Sequence, residues 1–505
     1  MLEKHTNSMW KKILNILKNP LFILTIILVI GLVLRLLEIN RTSFWYDEAF
    51  TGDVIKMSWK DMFAVIAADK VHPPLFYILS RLWASVFGFT QDSLRGLSIF
   101  FGLDTLVLGY FVGKNLFDKK RFPIVGLVIS LAIAISPFFI AYSNEARSYS
   151  FLAFIALGLG FAIVKWLDSK EKLEKRKYLI ISLILGISLC ATHYLQIVFI
   201  IAMVCAVLIY RFVFTEKGLN KKGLWITLGV IGLAILGILF LPIKSFLLSH
   251  GISGMWWIPD IKLYEVVRVY YSYFLGVIRY MDGVPPMRDL IINMPKLLLA
   301  GVLFLIQLLS YVYILVSKRF NTEEKRHVTF FYALGIITFL GFYILSVIGF
   351  NSFVERYTIA GGIVLFVSFW ITIASVFRNW FVLIPIGIYA AFIIMLTPLA
   401  LRIDYREVAK ALDGMNNVER YVFTSPTDLI DSQFYMSHTN VYYSYDFKGE
   451  YPGWALLKDD VNGVDVKDIK EGDLLIVPNR EVQKFIDLGY VKTSTIGSDF
   501  TLFSK

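Results

Sequence analysis

Five short polar clusters interrupt an otherwise apolar chain, and each carries side chains suited to acid, base or phosphate chemistry. The first, RTSFWYDEAF at 41–50, sets Asp47 and Glu48 beside Trp45 and Tyr46, aromatics of the kind that collect at a membrane surface. A carboxylate partly shielded from water there can take a proton from a sugar or alcohol hydroxyl; the plain alternative is two solvated loop acids. The second, DKVHPPLFYIL from Asp69, holds His72 in place through tandem prolines that fix an extended turn before a helix. The third, SPFFIAYSNEARSYSF, crowds Asn144, Glu145, Arg147 and Tyr149 between two apolar runs, either to face a substrate or to form an ion pair fastening two helix ends. The fourth, THYLQ, contains His193, and the fifth, SFVERYTI, contains Glu355, Arg356 and Tyr357. Arg356 suits a phosphate, or can snorkel to the interface. Trp256 and Trp257 in HGISGMWWIPD read as membrane anchors before sugar-stacking rings.

The elements that must carry these clusters are membrane helices. The chain of 505 residues is 57% hydrophobic and 18% charged, with a mean hydropathy of +0.64, more apolar surface than a soluble protein can bury. Apolar runs at 21–37, 95–113, 123–141, 149–167, 179–192, 194–213, 224–248, 295–317, 328–350, 358–377 and 381–400 each approach the length of about 20 residues needed to cross a bilayer as a helix. The expectation is a polytopic α-helical membrane protein of about eleven spans, with the first run kept as a helix because no small-residue cleavage site follows it.

Cations fall in alternate connections, Lys114 to Arg121, Lys165 to Lys177, Arg211 to Lys222, Lys318 to Arg326 and Arg378, which places these and the amino terminus in the cytoplasm. The net charge of +11 is therefore a topology signal, and nucleic-acid binding is not expected. Cys190 and Cys205 lie in apolar segments without metal-ligand spacing. The loop from 39 to 94 is too long for a plain connector, and 54–66 and 75–88 read as helices lying in the interface. From 402 onward 12 Lys and Arg face 17 Asp and Glu, a net of −5, which leaves +16 for residues 1–401. Residues 402–505 read as a small extracytoplasmic α/β domain: YVFTS, VYYSY, DLLIV and FTLFS alternate with helical stretches at 407–412 and 481–488. No catalytic motif is visible in it.

Taken together, the clusters resemble the C-type glycosyltransferase superfamily, in the bacterial branch related to dolichyl-phosphate-mannose protein mannosyltransferases and the lipid A aminoarabinose transferase. The resemblance rests on Asp47 and Glu48 after the first helix, the turn from His72 to Leu75, the loop with Glu145, Arg147 and Tyr149, the late Glu355 to Tyr357, and an outer carboxy-terminal domain. It implies that Asp47 is the catalytic base, that Glu145 faces the cavity, and that Arg147 and Arg356 hold a carrier phosphate, with Glu48, His72, Tyr149 and Tyr357 as further substrate contacts. The donor would be a sugar on a polyprenyl phosphate; the acceptor would be a lipid, a glycan, a wall polymer or a protein. Some relatives hold a divalent metal, for which His250 and nearby acids could serve, although no spacing requires it. The rival readings are a polymerase or ligase using a lipid-diphosphate oligosaccharide, which should show a long basic outer loop, and a transporter, which should show inverted repeats or helices broken by Gly or Pro. None of these marks is evident in the sequence.

Overall fold

The computed structural model describes residues 19–69, 72–118, 123–215, 218–219, 261–277, 286–377, 379–396, 404–415, 418–437, 440–444, 463–465, 468–496 and 499–504. The run at 224–248, the segment 250–260 with His250, Trp256 and Trp257, and Arg378 lie outside them. The chain forms two compact units. One is the helical membrane unit, residues 1–37, 98–144 and 148–398; the other gathers residues 38–97, 145–147 and 399–505.

In the membrane unit and its flanks the helices are α1 (Pro20–Leu36), α5 (Gln91–Leu116), α6 (Ile124–Ile135), α7 (Pro137–Ser143), α8 (Tyr149–Asp168), α9 (Lys172–Thr192), α10 (Ile197–Leu208), α11 (Leu263–Leu275), α12 (Pro286–Val316), α13 (Thr322–Val347), α14 (Ile359–Phe377) and α15 (Leu383–Leu396). Among the described residues six helical stretches are long and apolar enough to span: α5, α8, Tyr194–Phe212, Asn293–Val316, α13 and α14. The pair α6 and α7 makes a seventh if taken as one bent span, while α1 and α15 are apolar but shorter. Every run read from the sequence within the described residues meets a helix. One expectation is corrected: the stretch 123–141 is not a straight span but bends by 63° between α6 and α7. Pro137 cannot continue the hydrogen bonding of α6, whereas Ser136 caps α7 and Pro137 fits its first turn. Helix α14 is the most enclosed, with Ile363 through Ser368 all buried, and α13 opens with a full capping box of Asn321 and Glu324.

The second unit joins three short helices of the first loop, α2 (Tyr46–Lys56), α3 (Trp59–Asp69) and α4 (Leu75–Phe87), to a carboxy-terminal sheet. The expected single helix at 54–66 is two, because Met57 is extended and Ser58 starts a new turn by bonding Asp61. The sheet strands are β1 (Arg420–Phe423), β2 (Val441–Ser444), β3 (Gly463–Val464), β4 (Asp473–Pro478), β5 (Val491–Ile496) and β6 (Phe500–Ser504). They lie in the order β3-β2-β1-β4-β6-β5, parallel through β4 and antiparallel beyond it. Helices α16 (Tyr405–Asp413), α17 (Pro426–Gln433) and α18 (Val482–Asp487) complete it. Side chains alternate across the strands. Tyr421, Phe423, Ile476, Phe500 and Leu502 share one core with Phe44, Phe50, Val54, Ile55 and Tyr77 of the first loop. Leu475, Val477 and Phe503 turn the other way, onto Phe485 of α18.

Candidate active site

Asp47 and Glu48 occupy the first turn of α2, where the helix dipole favours carboxylates. Consecutive positions on a helix face different ways, and the two acids meet different surroundings. Glu48 is 0% exposed. Its Oε1 accepts from Arg95 Nε at 2.8 Å and from the Ala146 amide at 2.7 Å, and its Oε2 accepts from Arg95 Nη2 at 2.7 Å. Expected to face the substrate, Glu48 is instead enclosed by a two-pronged ion pair and a backbone bond. Arg95, 1% exposed, also donates to the carbonyls of Ile39, Thr42 and Ser43 at 2.6, 2.8 and 3.0 Å. One guanidinium thus fixes the segment entering α2 and its first turn together. Sequence reasoning did not single out Arg95; its one trace there is a cation opening an apolar helix.

Asp47 is half-buried. Its backbone carbonyl accepts from Thr51 Oγ1 at 2.9 Å and from Arg147 Nη1 at 3.3 Å. Arg147 is buried; its Nη1 also lies 3.0 Å from Thr51 Oγ1 and 3.4 Å from the Tyr77 hydroxyl, and its Nη2 lies 3.0 Å from His72 Nε2. A guanidinium only donates, so in this contact Nε2 of His72 stands as the acceptor. The structure therefore brings Asp47, Glu48, His72, Glu145 and Arg147 into one unit. Glu145 is half-buried, with its charge acting on Arg95. Through Nη1 and Nη2 the Arg147 guanidinium ties α2 to the turn before α4.

The carboxy-terminal helices back this arrangement. The Tyr435 hydroxyl accepts from the Phe44 amide at 2.7 Å and donates to Gln91, whose amide nitrogen reaches the carbonyls of Ile39 and Thr42 at 3.3 and 3.1 Å. The Tyr405 amide donates to Ser43 Oγ at 3.0 Å. Asp431 of α17 is buried, and that burial, with the carboxylates of Asp428, Asp47 and Glu48, pushes its carboxyl well above the usual range. On α2 itself, burial pushes Asp53 up to about 7 despite Lys56, whose ammonium is 3.9 Å away.

Tyr149, Arg356 and Tyr357 belong to the membrane unit. Tyr149 is buried with its ring edge on Tyr142. Glu355 binds Arg268 Nη1, and Glu265 Oε2 accepts from Arg268 Nε at 2.5 Å, a buried cation between two acids that the sequence did not announce. Tyr357 packs its ring against His193 at 5.0 Å, and its carbonyl accepts from Gln196 Nε2 at 2.9 Å. Arg356 is half-buried, its guanidinium 5.7 Å from the Tyr357 ring. Among the described residues the grouping of metal-type ligands is Asp168, Glu323 and His327, whose donor atoms lie within 4.8 Å of one another. It stands at the end of α8 opposite Tyr149, near a cavity of about 320 Å³ lined by Phe117, Asp118, Phe320 and Glu324.

Residues 71–240 match the family model of dolichyl-phosphate-mannose-protein mannosyltransferases, a third of the chain that includes His72, Arg95, Glu145 and Arg147 and starts after Asp47. No curated protein matches. Among solved structures, ArnT from Cupriavidus metallidurans bound to undecaprenyl phosphate is similar with a TM-score of 0.55 at 10% identity, over 95% of this chain and 97% of that one. The apo state of the same protein gives 0.45 at 11% identity, over 95% and 97%. The Archaeoglobus fulgidus oligosaccharyltransferase complex with Zn and sulfate gives 0.44 at 12%, over 95% of this chain and 72% of that one. The resemblance read from the sequence points the same way: residues 71–240 are similar to the dolichyl-phosphate-mannose-protein mannosyltransferases, and the chain is a multi-span membrane protein that shares the fold of ArnT.

Proposed function

We propose that the chain is an inverting glycosyltransferase that moves a sugar from a polyprenyl-phosphate carrier to an acceptor on the extracytoplasmic face of the membrane, with Asp47 as the base. The observation that carries this reading is the division of labour in the first turn of α2. Glu48 is closed off by Arg95 and the Ala146 amide, whereas Asp47 stands half-buried on a backbone held by Arg147 and Thr51. Those bonds hold the backbone that carries the Asp47 carboxylate in position for proton transfer. In the reaction, the acceptor oxygen bonds to the anomeric carbon while its proton passes to Asp47. The bond from that carbon to the phosphate oxygen breaks, and the carrier monophosphate leaves with the electron pair. One such displacement inverts the configuration, and a phosphate leaving group needs no dedicated acid.

Arg147 and Glu145 act here as positioning groups around α2. Arg356 and Tyr357 are assigned to the donor by the resemblance alone, and no step depends on a metal. Two domains, 1–401 in the membrane and 402–505 outside it, remain the proposed division of the chain, with the amino terminus cytoplasmic and the carboxyl terminus outside. The undecaprenyl phosphate bound to ArnT supports the donor class.

The test is transfer from a panel of radiolabelled polyprenyl-phosphate sugars in membranes holding equal amounts of wild type or Asp47→Asn. Wild type should transfer, and the variant should lose about 10²-fold or more of the rate. Near-normal turnover by Asp47→Asn removes Asp47 from the mechanism. Transfer only from lipid-diphosphate oligosaccharides replaces the donor class.

A further inference from the structure

Asp168 closes α8, while Glu323 and His327 stand four residues apart at the start of α13, on one face of that helix. All three belong to the membrane unit. His327 is 0% exposed. Its Nδ1 lies 3.3 Å from the Leu116 carbonyl, which can only accept, so Nδ1 donates in that contact and Nε2 is the atom turned on the acids. Nε2 is 2.8 Å from Asp168 Oδ2 and 4.0 Å from Glu323 Oε1, and the three donor atoms lie within 4.8 Å of one another. Four-coordinate zinc, with bonds of about 2.0–2.2 Å, spaces its ligand atoms about 3.3–3.6 Å apart, inside the range seen here.

The surroundings orient these donors. A metal-binding imidazole commonly gives its other N–H to a carbonyl, and Leu116 supplies one. Asp168 Oδ1 accepts from the Tyr210 hydroxyl, which fixes the carboxylate and leaves Oδ2 toward His327. The Tyr210 ring stacks on the imidazole, with 6.2 Å between centres, and Arg326 is turned onto that ring, 4.3 Å from its centre. The side chains of Asp168 and Glu323 are 22% and 48% exposed, so both acids reach solvent and give an ion its entry. Nε2 and Oδ2 approach so closely that something positive must bridge them. A proton joins those two atoms alone, whereas a metal ion uses all three donors. One imidazole with two carboxylates suits a divalent transition metal. We propose that Asp168, Glu323 and His327 bind one such ion, of the zinc class, which clips the end of α8 to the start of α13 and keeps its remaining coordination for water. None of these residues is assigned to transfer.

The test is isothermal titration of zinc chloride into the purified full chain, stripped with a chelator and freed of any affinity tag. Wild type should take up zinc saturably at about one ion per chain, and its thermal midpoint should rise as the site fills. Tyr210→Phe, which removes only the hydroxyl behind Asp168, should weaken that uptake about 10-fold, and His327→Gln should weaken it further. Absence of saturable uptake by wild type overturns the proposal and leaves a proton as the bridge; equal affinity in wild type and a folded His327→Gln overturns it as well. Should His327→Gln not fold, Glu323→Gln decides, because that side chain is half exposed. Weaker uptake by Glu323→Gln supports the site, and unchanged affinity overturns it.

Discussion

At the scale of residues, two neighbouring acids differ in what their loss should cost. Removing one member of a fully buried ion pair leaves the other charge stranded and destabilises by about 3–5 kcal/mol. Glu48→Ala should therefore lower the thermal midpoint and the transfer rate together, because Arg95 loses its partner and three carbonyl contacts lose their reference point. Asp47, half-buried, should show the opposite pattern: Asp47→Asn changes stability by about 0.5 kcal/mol or less while transfer falls. Measuring both quantities on both variants separates a positioning acid from a reacting one; equal losses of stability would refute the distinction. The sequence made both acids visible but could not rank them, since their difference lies in a partner 47 residues away and in the amide of Ala146. Arg95 escaped notice for the same reason. Its five N–H groups find acceptors only after residues 39–48 fold over it.

At the scale of elements, α2 is pressed between the first loop and α17. Gly52 sits so close to Phe434 that a Cβ would fall 2.4 Å from the ring. Gly52→Val should push α17 away and reduce stability by about 1–3 kcal/mol, the range typical of overpacking. Adding Phe434→Leu should restore part of the loss, and a double variant no better than the single one would argue against this contact. The next residue, Asp53, gives the helix a pH response. Its carboxyl is held up to about 7 by burial, above its value in the unfolded chain, so the folded state keeps a proton that the unfolded state has lost. The stability it contributes is full below about pH 4 and falls as pH rises toward 7. Asp53→Asn should accordingly raise the thermal midpoint near pH 7.5 and change it little near pH 4; a uniform shift at both values would contradict this.

Elements were also where the sequence was most legible. The four strands read from YVFTS, VYYSY, DLLIV and FTLFS are all present, because alternation of apolar residues is a local signal. Helix α17 was missed: PTDLIDSQ is short and polar, and its role comes from packing on α2 rather than from its own pattern. The bend at Pro137 was written in the sequence, but the apolar run on both sides of it masked the break.

At the scale of the whole molecule, the unit that holds Asp47 is made from distant parts of the chain. Phe44, Phe50 and Tyr77 share a core with Tyr421, Phe423 and Leu502, so the first loop has no complete core of its own. Deleting residues 402–505 should abolish transfer to every acceptor and expose the first loop to limited proteolysis, even while the membrane helices remain inserted. A truncated chain that keeps a protected first loop and changes only its acceptor preference would show that the carboxy-terminal domain serves recognition alone. Nothing in the sequence marked this union, since composition drew a boundary at 402 and the helices of the first loop read as lying in the membrane interface.

The bond between the Phe44 amide and Tyr435 spans 391 positions of sequence, and that separation sets an order of events during synthesis. Residues 38–97 leave the ribosome about four hundred residues before the end of the chain, roughly 20–80 s earlier at about 5–20 residues per second. Through that interval the aromatic faces of α2 and α4 wait without the sheet that covers them. The unit that holds Asp47 is thus incomplete until residues 399–505 arrive, and any chain cut short before them carries an uncovered apolar loop that chaperones and proteases can read as unfinished.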